Sequence, residues 1–204
     1  MTTERRYSDT TPHANTVRNA TPDRPSDRSS RDAALWYVER GYGVFPCIAR
    51  TKAPRYRKGS HRRWAPDPDG PAGLHRAAWT RSDVEKHWPS EPGVAVGLVP
   101  PVGVLIVDAD EKHRRGIVKR ILDAFPTLAA NGVHHTRSDG THMPASIPEG
   151  LDLPQSVDPA LGIDTRIGAK GYVLAPPAPG YRVATPFRPA DELAPLPQVL
   201  GDVL

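Results

Sequence analysis

A chain of 204 residues can hold one domain with a real core, and 38% hydrophobic content with 24 prolines places polar, proline-rich sequence at its ends. The net charge of +4 permits a nucleic-acid partner without demonstrating one. No apolar run approaches the roughly 20 residues of a membrane span, no signal-peptide core opens the chain, and the single cysteine, Cys47, excludes an internal disulfide and a cysteine-based zinc site. The expected compartment is the cytoplasm.

Residues 1–30 carry almost no apolar side chains and read as a disordered arm. Folded structure is expected from 31 to 185. Asp32 is placed to cap a helix over Ala33–Arg40 that stops at Gly41. Tyr42–Ile48 reads as a strand, with Cys47 as a small buried hydrophobe. Residues 50–73 are broken by Pro54, Gly59, Pro66, Pro68, Gly70 and Pro71 and form a loop. That loop concentrates positive charge: Arg50, Lys52, Arg55, Arg57, Lys58, Arg62 and Arg63. Thr80 or Ser82 caps a helix running to Trp88.

Val94–Val99 and Val102–Val107 are short apolar strands, the second ending at Asp108 and Asp110. A helix with Ile117, Val118, Ile121, Leu122 and Phe125 on one stripe follows over 114–125. Val133–Thr136 and Gly140–Ala145 read as strands joined by a Ser138–Asp139–Gly140 turn. Ile163–Arg166 and Gly171–Ala175 read as a further strand pair with Gly168 in the turn. From 186 to 204 the chain is a proline-rich tail that wraps the surface or serves as a linker. Several strands with three helices make a mixed α+β domain.

The chemistry concentrates at Asp108 and Asp110. Residues two apart on a strand share a face, and two adjacent carboxylates repel one another in a half-buried place. A divalent cation resolves that conflict, and oxygen ligation favours Mg2+ or Mn2+ over zinc. An ordinary surface Asp pair is the competing reading. Asp164 is a third carboxylate, sharing a face with Arg166; three aspartates can hold two cations for phosphoryl transfer. Arg166 offers a bidentate fork to phosphate, or simply pairs with Asp164. In the 136–142 turn, backbone N–H groups can cradle phosphate oxygens. His142 there can donate to a phosphate or relay a proton. Lys52, Arg55, Arg57, Lys58, Arg62 and Arg63 are candidates for binding nucleic-acid phosphates. Trp64, Trp79 and Trp88 serve either as stacking platforms or as core.

Taken in order, these pieces resemble a known family. ALWYVERGYGVFP at 34–46, AWTRSDVEKHWP at 78–89, VAVGL at 94–98, VGVLIVDAD at 102–110, TRSDGTH at 136–142 and GIDTRIGAKGYVLAPP at 162–177, with Tyr181, together resemble the bifunctional primase-polymerase N-terminal domain of plasmid, phage and mobile-element replication proteins. The resemblance implies an archaeo-eukaryotic primase core: an RRM-like sheet carrying the acids and a flanking α/β unit. It implies Asp108, Asp110 and Asp164 as metal ligands and His142 as a contact to the incoming nucleotide's phosphates. Ser138, Gly140, Arg166 and Lys170 join His142 as nucleotide-binding candidates. The implied activity is template-dependent nucleotidyl transfer from nucleoside triphosphates on single-stranded DNA, with Mg2+ or Mn2+. Such domains often precede a helicase region, and none fits here: the chain reads as a stand-alone primase, with a replicative helicase supplied separately, as a fragment, or as a degenerate remnant. The family motif Ser-Gly-Gly-x-His carries Asp139 in place of a glycine. That substitution keeps a degenerate single-strand-binding domain open as a second reading, and because carboxylate clusters serve hydrolysis as well, a metal-dependent nuclease is a third.

Overall fold

The computed structural model describes residues 25–55, 73–153, 155, 157–158 and 160–204. The arm up to residue 24 lies outside them, as do Arg57, Lys58, Arg62, Arg63 and Trp64 of the basic loop. Helices and antiparallel sheets combine into an α+β domain.

Helix α1 (Ser30–Val38) starts with Ser29, whose Oγ accepts from Asp32 N–H at 3.1 Å and donates to the Asp32 carboxylate at 2.7 Å. Asp32 therefore supports the cap from the third helical position and is not the cap itself. Thr80 and Asp83 repeat the device at α2 (Arg81–His87), with the cap where the sequence placed it. Strand β1 (Gly43–Ile48) pairs with β2 (Val94–Val99).

Strand β3 (Val104–Ala109) is offset from its expected position, because Val102 and Gly103 form an exposed turn in which Gly103 takes φ +80°. Asp108 is consequently a strand residue with neighbours on both sides. Helix α3 (Ile117–Ala124) begins later than expected and is followed by a separate α4 (Pro126–Ala130). Strands β4 (Val133–His135), β5 (Thr141–Ser146), β6 (Val157–Asp158) and β7 (Ile163–Ile167) follow. The chain closes with β8 (Val173–Ala175), β9 (Arg182–Thr185) and α5 (Gln198–Gly201).

The strands form two antiparallel sheets, β1–β2–β8 and β6–β7–β3–β5–β4–β9. Strands β4 and β5 pair as expected, but β7 and β8 do not, since β7 lies beside β3 and β8 beside β2. The 168–172 link thus crosses from one sheet to the other.

Alternation along β3 divides its side chains between two cores. Leu105, Val107 and Ala109 pack with Ile117 and Ile121 of α3, Leu128 of α4, and Leu196 and Leu200. Ile106 packs the other way, with α1 and the small sheet. Asp108 shares the parity of Ile106, so its carboxylate emerges on the side where the two sheets meet.

The proline-rich tail does more than wrap the surface. Phe187, Leu193, Leu196 and Leu200 are buried. Each such side chain contributes about 1.5–3 kcal/mol on full burial. Proline lowers the entropy lost on ordering, so a segment rich in it can dock with few anchors.

Candidate active site

The register of the large sheet builds one row of polar side chains across four strands. Asp108 of β3 stands opposite Asp164 of β7 on one side and His142 of β5 on the other. His142 stands opposite His134 of β4. Directly opposed residues share a face with Cβ atoms about 4.5–5.5 Å apart. The row therefore reads Asp164, Asp108, His142, His134, running from half-buried to fully buried.

Asp164 accepts from Thr165 N–H at 2.8 Å and forms an ion pair with Arg166. The pair alone would hold the carboxyl down. Burial outweighs it, and the facing Asp108 adds to burial, so the Asp164 pKa lies above its ordinary value. The two opposed carboxylates thus repel one another even with Arg166 beside Asp164.

His142 Nε2 lies 3.5 Å from Asp108 Oδ1, too long for a strong hydrogen bond. Burial pulls the His142 pKa down; Asp108 opposes this, and Lys52 and Arg166 reinforce it. The ring is neutral at neutral pH, so it meets an anion as a neutral donor. Its Nδ1 is buried without a hydrogen-bond partner. His134, which sequence reasoning left uncommitted, is wholly buried, stacked face to face on Phe187 at 3.6 Å between ring centroids. Both of its ring nitrogens lack partners.

A cleft of about 290 Å3 opens over the middle of this row. Asp108 and His142 line it, together with Lys52, Arg166 and Lys170. Three cations facing an acid and a histidine suit a ligand that is itself a polyanion. Tyr172 and Tyr181 also line it. The Tyr172 hydroxyl donates to the Lys52 carbonyl at 3.0 Å, fixing the backbone from which Lys52 reaches inward. Neither tyrosine could be given a role from spacing alone. Lys52 itself, expected to touch nucleic acid, belongs to this cleft.

The remaining candidates sit at the margins. Asp110 follows the end of β3, and its Oδ1 accepts from Lys112 N–H at 2.9 Å. Ser138 and Asp139 are exposed at the tip of the β4–β5 hairpin. Asp139, not Gly140, takes the left-handed backbone, with φ +62°. Gly140 is needed for closeness: a Cβ there would stand 2.6 Å from the Ala109 carbonyl oxygen. Arg55 pairs with Glu91 at 3.5 Å, away from the cleft. Trp88 is buried, its indole donating to Ser30, whereas Trp79 is partly exposed.

A family model described as "Bifunctional DNA primase/polymerase, N-terminal" matches residues 34–199, most of the chain.

The chain belongs to this family.

The Prim-Pol domain is of the primase/polymerase nucleotidyl-transferase type. No match appears among curated proteins. Among the described residues no helix of the Prim-Pol domain is long and apolar enough to cross a membrane.

The donor set can be weighed against a divalent cation directly. Among the described residues no three His, Cys, Asp or Glu side chains converge closely enough to cage an ion alone. Mg2+ seldom needs such a cage, because it binds one or two carboxylates and takes its other oxygens from water and phosphate. Asp108 and Asp164, opposed and mutually repelling, fit that pattern. The second oxygen of Asp110 lies 3.9 Å from His113 Nε2.

Proposed function

We propose that this Prim-Pol domain is a template-dependent nucleotidyl transferase that extends or initiates a strand on single-stranded DNA, using nucleoside triphosphates and two divalent cations, Mg2+ or Mn2+. The observation that carries this reading is the Asp164–Asp108–His142 row beneath a cleft lined by Lys52, Arg166 and Lys170. Asp108, Asp164 and Asp110 are the residues to hold the cations. When bound, the cations stabilise charge on the attacking and leaving oxygens of the phosphoryl transfer.

The rest follows from the chain's own side chains. Lys52, Lys170 and Arg166 draw the triphosphate into the cleft and neutralise part of its charge. Arg166, held on the same strand face as Asp164, is positioned to exchange its carboxylate for a phosphate oxygen. His142, neutral and buried, donates a hydrogen bond to that phosphate and fixes its orientation. The strand's terminal hydroxyl oxygen bonds to the α-phosphorus as the bond to the β-phosphate oxygen breaks. Pyrophosphate leaves, and the hydroxyl proton passes to solvent. Primers arising this way would serve replication of a plasmid, phage or mobile element.

Incubation with single-stranded DNA, Mg2+ or Mn2+, and labelled ribo- and deoxyribonucleotides tests the reading. Extension products with pyrophosphate release are expected. Binding without synthesis would identify a degenerate binding domain, and shortening of labelled DNA without triphosphates would identify a nuclease.

A further inference from the structure

The segment directly after Asp110 reads Glu111–Lys112–His113–Arg114–Arg115–Gly116. Its acids and bases are sorted by the fold. The Glu111 carboxylate turns inward, accepting from Gly116 N–H at 2.5 Å and Val118 N–H at 2.9 Å, and so caps α3 from a distance. Asp110 accepts from Lys112 N–H. Both acids are thereby committed to backbone donors.

The bases are not. Lys112, Arg114 and Arg115 are exposed, and among the described residues none of their side chains makes an ion pair or hydrogen bond. His113 is half-exposed beside Asp110. Clustered like charges cost free energy unless a counter-charge is supplied.

The turn is also fixed in place. Asp110 N–H donates to the Gly162 carbonyl at 2.9 Å, and both His113 and Arg114 N–H donate to the Asp110 carbonyl at 3.2 Å. Gly162 lies so close beneath that a Cβ there would stand 2.6 Å from Arg114 Cβ. The cations are therefore presented by a turn pinned to the ends of β3 and β7, the strands carrying Asp108 and Asp164.

We propose that Lys112, Arg114 and Arg115 form a binding site for the phosphodiester backbone of the nucleic-acid strand that occupies the active site. The partner is identified by three unpaired cations on a rigid turn, the first of them two residues beyond Asp110. In sequence these residues are distinct from the basic run at 50–63. The assignment of the strand to the active site rests on the transferase reading above; the binding itself does not.

The test is fluorescence anisotropy of the full chain with a labelled single-stranded oligonucleotide, in EDTA and without nucleotide, over a salt series. The variant K112Q/R114Q/R115Q is compared with wild type and with K112R/R114K/R115K. Loss of three contacts should flatten the slope of log affinity against log salt by about two for single strands. The charge-keeping variant should retain wild-type slope, and circular dichroism should show all three folded. An unchanged slope in the neutral variant overturns the proposal. So does equal competition by polyglutamate, which would mark the patch as a generic anion surface. Wild type that binds with the steep slope yet incorporates no nucleotide supports the patch while removing the transferase reading.

Discussion

Asp108 and Asp110 lie two residues apart, yet the fold gives them different surroundings, and their variants should separate accordingly. Asp108 faces a like charge across the strand pair; Asp110 holds a backbone N–H. Asp108→Asn removes a repulsion, so it should abolish nucleotide transfer while raising the melting temperature in EDTA. Asp110→Ala should also abolish transfer but lower stability by about 1 kcal/mol, the worth of one hydrogen bond. Asp110→Asn retains an acceptor oxygen and should restore stability without restoring activity. Turnover and EDTA melts of the three variants check this, and wild-type turnover in either asparagine variant would remove that residue from the catalytic set. Asp139 stands at the tip of the β4–β5 hairpin. It is exposed and adopts a backbone conformation that Asp tolerates better than most residues.

Elements bring these residues together through pairing that is not local. The β4–β5 hairpin presses on the end of β3 at Gly140, where a side chain has no room beside the Ala109 carbonyl. Gly140→Ala should push the hairpin from β3, costing roughly 1–3 kcal/mol as overpacking does. Because His142 follows on the same hairpin, triphosphate affinity should fall as well. A thermal melt and a triphosphate titration check both, and unchanged values in the two would show that the hairpin shifts freely. The sequence made the α2 cap and the β4–β5 hairpin legible, since each is written within a few neighbouring residues. Asp164 was legible as an acid near an arginine, but its place opposite Asp108 depends on register between strands more than fifty residues apart. The β7–β8 pair was misread for the same reason: a short turn at Gly168 looks like a hairpin, although the chain there crosses between sheets. Strand β9 and the docking of Phe187 were hidden because prolines mask the apolar alternation. The burial of His134 left no signal in spacing at all.

For the molecule as a whole, the buried histidines set the response to acid. Burial holds His134 well below its ordinary pKa, and His142 is lowered too. Below about pH 6.5 the unfolded chain takes up protons that the folded chain refuses, so stability falls as pH falls through that range. His134→Phe keeps a ring against Phe187 and removes two unpartnered nitrogens. It should raise stability by about 1–3 kcal/mol, the cost of such unmet groups. Its melting temperature should also depend less on pH between 7 and 5. An equal pH slope in wild type and variant would assign the acid response to other groups. The polar row has one more consequence. Buried His142 and half-buried Asp108, at the wall of the cleft, lie 3.5 Å apart. A positive ion held at Asp108, as proposed above, and a proton gained at His142 would therefore oppose one another, and that antagonism would be reciprocal. Acid would then weaken the hold on the ion by the same factor that the ion resists the proton, which would bound the working range of the domain on its acidic side.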